Sequence, residues 1–141
     1  MLSRLVKLIL VGMLLALPAC AGQASNPQGP VDVTITATDF NFQSSLTTFK
    51  VGVPYHFIVT NKGAVEHEFM LVKPIDPSAN MEMSEMDNMA LAHIEEDDLQ
   101  PGDTASVDYT FTQEDANGTL EFSCHLPGHY ENGMKLPITV Q

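Results

Sequence analysis

Apolar and polar residues alternate along residues 31–37, with Val31, Val33, Ile35 and Ala37 on one face and Asp32, Thr34 and Thr36 on the other. A period of two is that of a half-buried strand. Asp39-Phe40-Asn41-Phe42 continues the alternation, residues 46–51 predict a second short strand, and Gly52-Val53-Pro54 a turn. In a third strand over 55–60, Phe57 and Val59 share one face while His56, Ile58 and Thr60 share the other, so His56 reads as an edge or surface residue. Asn61-Lys62-Gly63 breaks that strand. Phe69-Met70-Leu71-Val72 is wholly apolar and suits a buried strand beginning near His67. Residues 104–112 alternate again with Ala105, Val107, Tyr109 and Phe111 inward, 114–118 form a loop, 120–122 lead into Cys124, and 136–140 close the pattern. Seven or eight short strands with turn signals between them predict an all-β, two-sheet sandwich.

Residues 74–103 interrupt this rhythm. Pro74 and Pro77 break any strand, and Met81, Met83, Met86, Met89 and His93 follow. Met86, Met89 and His93 fall at i, i+3 and i+7, which predicts one face of a short helix inside a helical or irregular insertion around residues 76–98. Its methionines either pack on the sandwich or, with His93, form a secondary Cu(I) site, since soft thioethers select that ion. Glu95-Glu96-Asp97-Asp98 reads as a solvated acidic face, and 99–103 as a turn.

The N-terminus belongs to a different class. Arg4 and Lys7 precede an apolar run over residues 8–17, of export-signal length and short for a membrane span. It ends in Leu17-Pro18-Ala19-Cys20, which resembles a bacterial lipobox and implies cleavage before Cys20 and lipid on its sulfur. Ordinary secretion with cleavage nearby is the alternative. The expected organisation is a leader over 1–20, a flexible tether over 21–30 without large apolar residues, and one domain over 31–141. The expected compartment is the periplasm or elsewhere outside the cytoplasm, with a possible membrane tether through Cys20.

Charge narrows the partners. The chain carries 6 Lys+Arg against 18 Asp+Glu. Without Arg4 and Lys7, four basic residues remain against 18 acidic ones, a formal charge of −14. Nucleic acid rewards basic surfaces and is excluded as a partner. An acidic surface suits solubility, and equally steering toward a basic redox protein.

The chemistry concentrates in Phe122-Ser123-Cys124-His125-Leu126-Pro127-Gly128-His129-Tyr130-Glu131-Asn132-Gly133-Met134. A strand ending at Cys124 and turning through Pro127-Gly128 could aim the thiol, the His129 imidazole and the Met134 thioether at one spot. One cysteine, one histidine and a weak methionine, completed by a second histidine, is the donor set of a blue-copper site. His67, in Asn61-Lys62-Gly63-Ala64-Val65-Glu66-His67-Glu68-Phe69, offers the second imidazole. In these two motifs, and by pattern over residues 31–141, the chain resembles the cupredoxins, most of all small bacterial cupredoxin-like copper-binding proteins. The resemblance implies a Greek-key β-sandwich and one copper per chain, bound by His67, Cys124, His129 and Met134. Many relatives carry a small polar residue after the first histidine, where this chain has Glu68; strand alternation would turn it away from the metal.

Other readings compete. A Cys20–Cys124 disulfide would leave the histidines unexplained. Zinc would have to recruit His125, the neighbour of Cys124, because a thioether is a poor zinc ligand. Successive strand residues point oppositely, so His125 reads as a non-ligand. The expected function is a monomeric one-electron carrier between redox proteins of the cell envelope, with periplasmic copper delivery or resistance through residues 81–93 as the alternative. An enzyme is not expected, since four protein donors leave no position for substrate.

Overall fold

The computed structural model describes residues 29–76, 78–79 and 81–141. The expected leader, Cys20 and residues 21–28 of the expected tether lie outside the described residues. Among the described residues, no helix is long and apolar enough to cross a membrane.

Among the described residues, nine strands form a two-sheet Greek-key sandwich. They are β1 (Val31–Thr38), β2 (Asn41–Ser44), β3 (Thr48–Phe49), β4 (Pro54–Asn61), β5 (Phe69–Val72), β6 (Ala92–Ile94), β7 (Thr104–Thr110), β8 (Leu120–Ser123) and β9 (Lys135–Val140). One sheet runs β2-β1-β4-β7 and the other β3-β9-β8-β5-β6. Both are mixed, because β1 runs parallel to β4 and β3 parallel to β9. The alternation read from the sequence becomes a core between the sheets: Val33, Ile35 and Ala37 from β1 and Tyr55, Phe57 and Val59 from β4 meet Phe69, Leu71, Leu120 and Phe122 from the facing sheet. β5 and β8 sit inside their sheet and are buried at every position; β5 is a continuous apolar run, as expected when both faces of a strand are covered, whereas β8 also buries Glu121 and Ser123.

Three expectations change. Residues 39–42 do not extend β1: the chain turns at Asp39-Phe40, with Phe40 at a φ of 60°, and β2 folds back antiparallel on β1. The alternation of Phe40 and Phe42 imitated a strand, but Phe42 is buried and Phe40 is 41% exposed. Residues 46–51 yield only the two-residue β3, because Ser44 Oγ bonds the main chain of Leu46 and Gly52, at a φ of 76°, turns the chain into β4.

The third change concerns the insertion. Its helix, α1 (Met83–Asp87), is little more than one turn. Residues 92–94 then pair with β5 as the edge strand β6, with His93 opposite Met70. Met86, Met89 and His93 therefore do not share a helical face. Met86 packs with Met81 against Met70, Val72 and Ile75, while Met89 is 46% exposed.

Candidate metal centre

Two loops at one end of the sandwich bring the expected donors together. The first joins β4 to β5 and is fixed by Asn61. This fully buried side chain donates to the carbonyls of Val65 and Leu99, both at 2.8 Å, and accepts from the Gly63 amide at 2.8 Å. His67 N–H donates to the Leu99 carbonyl. In the sequence Asn61 looked like a strand breaker; it is the clamp that sets the His67 loop. Asn, Gly and a histidine within seven residues was the available signal.

The second loop joins β8 to β9 as a series of tight turns. Its glycines are required by conformation, Gly128 at a φ of 84° and Gly133 at 99°. His129 N–H donates to the Leu126 carbonyl, Met134 N–H to the His129 carbonyl, and Cys124 N–H to the Met134 carbonyl. The last bond closes the loop at its base and carries Met134 back beside Cys124.

Within this frame His67 Nδ1 lies 3.2 Å from His129 Nδ1, which lies 3.3 Å from Cys124 Sγ. The three donors all fall within 4.8 Å of one another. His67, Cys124 and Met134 are fully buried, and His129 is partly exposed. The His129 ring meets Phe40 edge-on, with centroids 5.4 Å apart. Phe40 thus stands at the rim of the site. Burial, and then the neighbouring His129, hold the His67 pKa below its ordinary value, so its ring is neutral and free to ligate. Burial pushes the Cys124 thiol up to about 12, against the opposing pull of main-chain N–H groups of Glu68 and Leu126 that donate to its sulfur. Such a thiol ionises at neutral pH only when something positive replaces its proton.

The remaining histidines are accounted for. His56 pairs across strands with Asp108 at 2.5 Å. His125 is buried, bonds Ser123 Oγ through Nε2 at 3.0 Å and stacks on Tyr130 at 4.4 Å, so it stands apart from the three donors. Tyr130 in turn donates to Glu121 Oε1 at 2.7 Å. Glu68 turns its side chain away from the donor cluster, as alternation suggested, and is fully buried. Its Oε1 accepts from the His125 amide at 2.5 Å, locking the two ligand-bearing segments together. His93 lies elsewhere, beside Glu68 and Asp87. Met81, Met83 and Met86 line a separate groove of about 310 Å³ together with His125 and Tyr130. Cys124 forms no disulfide among the described residues.

Residues 30–141 match the copper binding proteins of the plastocyanin/azurin family. The chain is 31% identical over 121 residues to the copper-resistant cuproprotein CopI of Rubrivivax gelatinosus, covering 85% of this chain and 71% of that protein. It is 27% identical over 154 residues to the protein of the same name from Pseudomonas aeruginosa, covering 88% and 81%. The solved structure of auracyanin A, a "blue" copper protein from Chloroflexus aurantiacus, matches with a TM-score of 0.56 at 25% identity, covering 80% of this chain and 100% of that one.

Proposed function

The chain belongs to the plastocyanin/azurin family of copper binding proteins, and on that premise we propose that it carries single electrons through one copper held by His67, Cys124, His129 and Met134. The observation that carries this reading is the convergence of one thiol and two imidazole nitrogens within 4.8 Å, at the end of a packed sandwich. Bound copper supplies a one-electron couple that two imidazoles, a thiolate and a weak thioether suit in both oxidation states.

The residues divide the work. Cys124 provides the covalent thiolate, and two main-chain N–H groups orient its sulfur. Asn61 and the Leu99 carbonyl hold the main chain at His67, which would keep this residue in place as the charge of a bound copper changes. Met134, whose main chain is held beside Cys124, would be the weak fourth donor. His129 is the partly exposed member, and its ring beside Phe40 is the exit for the electron. Four protein donors leave no position for a substrate, which supports a carrier over an enzyme. In this reading the protein works outside the cytoplasm as a monomer, exported by residues 1–20 and tethered by lipid on Cys20 and by residues 21–30. Its acidic surface then steers it to basic redox proteins of the envelope.

Copper resistance is the second reading. The names of the two relatives favour it, and so does the groove where Met81, Met83 and Met86 gather thioethers. Voltammetry of the copper-loaded protein separates the two. A carrier cycles reversibly by one electron and keeps its copper. Loss of copper on reduction, or uptake of several Cu(I) ions that Met81→Ile and Met86→Ile abolish, assigns the protein to copper handling.

Gly63 offers a test of how tightly the His67 loop is built. A Cβ there would collide with Asp39 Oδ1, stand 2.8 Å from His67 Nε2 and 3.1 Å from Asn61 Oδ1. Asp39 is exposed but anchored by the Ala64 amide, and His67 is buried and enclosed. Gly63→Ala is expected to cost about 1–3 kcal/mol, as overpacking does, and to push the His67 ring off its position. The measurement is copper retention beside thermal unfolding, with a roughly tenfold or greater loss of copper affinity expected.

A further inference from the structure

A second cluster of donors lies beyond the Cys124 centre. His93 Nε2, on the edge strand β6, stands 3.5 Å from Glu68 Oε2 and 4.0 Å from Asp87 Oδ1. All three atoms are buried, and none has a hydrogen-bond partner among the described residues. They fall within 4.8 Å of one another. Glu68 itself is fully buried, so its free oxygen points into the cluster and not toward solvent.

Leaving such a buried carboxylate oxygen without a partner is unfavourable, because its lost hydration is not replaced. Its other oxygen is already used by the His125 amide. A proton on His93 relieves the charge only in part. The Glu68 carboxylate does raise the His93 pKa, against the effect of burial. Yet 3.5 Å is too long for a good N–H···O bond, and one N–H cannot point along two directions at once. A metal ion removes the problem, because it accepts several donors in a non-linear arrangement.

We propose that Glu68, Asp87 and His93 form a second metal site, which takes a divalent transition cation of the zinc or copper(II) class. Ligand oxygens and imidazole nitrogens bind zinc at about 2.0–2.2 Å, which sets tetrahedral neighbours roughly 3.4 Å apart. The 3.5 and 4.0 Å separations need only a small contraction to meet that geometry. Two carboxylates and a neutral imidazole compensate the charge of a divalent ion. The imidazole disfavours magnesium and calcium, and the absence of a thiolate or thioether from the cluster disfavours Cu(I). Behind the ring, Glu95 Oε1 stands 3.6 Å from His93 Nδ1. A carboxylate at that place orients the ring and raises the basicity of the ligating nitrogen. Asp87 is 30% exposed and provides access from solvent.

Glu68 joins the two sites. Its main-chain N–H donates to Cys124 Sγ while its side chain enters the second cluster. A cation on that side chain would cancel a buried negative charge that acts on Cys124.

The test is equilibrium dialysis of the full chain, copper-loaded, against Zn²⁺, with copper and zinc both counted, beside His93→Gln and Glu68→Gln. Wild type is expected to hold one zinc in addition to its copper. Both variants should hold it at least about tenfold more weakly. The Glu68→Gln amide keeps an oxygen for the His125 N–H. In wild type alone, zinc should shift the imidazole resonances of His93 and leave those of His56 in place, a readout that needs no variant to fold. No zinc beyond the copper, or equal zinc binding by all three proteins through the acidic surface, overturns the proposal. Neither result bears on the electron-carrier reading, since copper is already bound.

Discussion

Cys124→Ser is expected to fold and to lose the intense visible band of the copper-loaded protein together with its reversible one-electron cycling. The thiol is fully buried where two main-chain N–H groups already point at its sulfur, so a hydroxyl fits the space and finds partners. The variant keeps the two imidazoles and can still gather copper weakly, but without a thiolate it has no sulfur-to-copper charge transfer. The loss of affinity should exceed the roughly 10–100-fold that follows from removing an outer hydrogen-bond partner of a ligand. Proton release gives a second readout. With the thiol pushed up to about 12, the metal-free wild type is protonated at pH 8, and copper must displace that proton. His67 is already neutral there, its pKa having moved downward. Wild type should therefore release about one proton per copper from the thiol, and the variant none. Identical spectra and identical proton release in both proteins would sink the assignment of Cys124 as a ligand.

The convergence of His67, Cys124 and His129 was legible because these residues lie in two short motifs whose glycines announce their turns. Gly128 and Gly133 mark where the Cys124 loop must adopt positive φ, and donor types at that spacing have few other uses. Glu68 and His93 were not legible in the same way. The period of Met86, Met89 and His93 matches a helix, yet β5 needed an edge partner on its open side, and β6 supplies it by pairing Met70 with His93. Tertiary pairing overrode a local period carried by only three residues. The burial of Glu68 has no local signature at all: it follows from the His125 amide and the His93 ring, which lie 57 and 25 residues further along the chain. Asn61 was misread for a related reason. Asn-Lys-Gly is ordinary turn chemistry, and only the distant Leu99 carbonyl shows that its side chain holds two segments together.

Phe49→Ala is expected to be among the most destabilising single substitutions in the domain, although Phe49 belongs to a strand of only two residues. Its ring is fully buried and touches four others: Tyr55 and Phe111 at 5.0 Å, Phe57 at 5.7 Å and Phe122 at 5.9 Å. Tyr55 and Phe57 come from β4 and Phe122 from β8, so this one ring ties the two sheets. The chain just beyond it is held from the same cluster, where Lys50 N–H donates to the Tyr55 hydroxyl at 2.9 Å. Packing from four sides leaves no neighbour free to collapse into the space. The loss should lie near the usual figure for a buried phenylalanine, about 3–5 kcal/mol, with a fall of roughly 10 °C or more in Tm. Phe40→Ala is the control: that ring is 41% exposed at the rim of the metal site, and removing it should change stability by no more than about 0.5 kcal/mol. Thermal and urea unfolding of the metal-free proteins measure both without the added stabilisation of a bound ion. The effect should reach the metal centre as well, because Phe122 stands two residues before Cys124 on β8, and a slack core under that strand leaves the thiolate less firmly placed. If Phe49→Ala proves no more destabilising than Phe40→Ala, the aromatic cluster is not what joins the sheets.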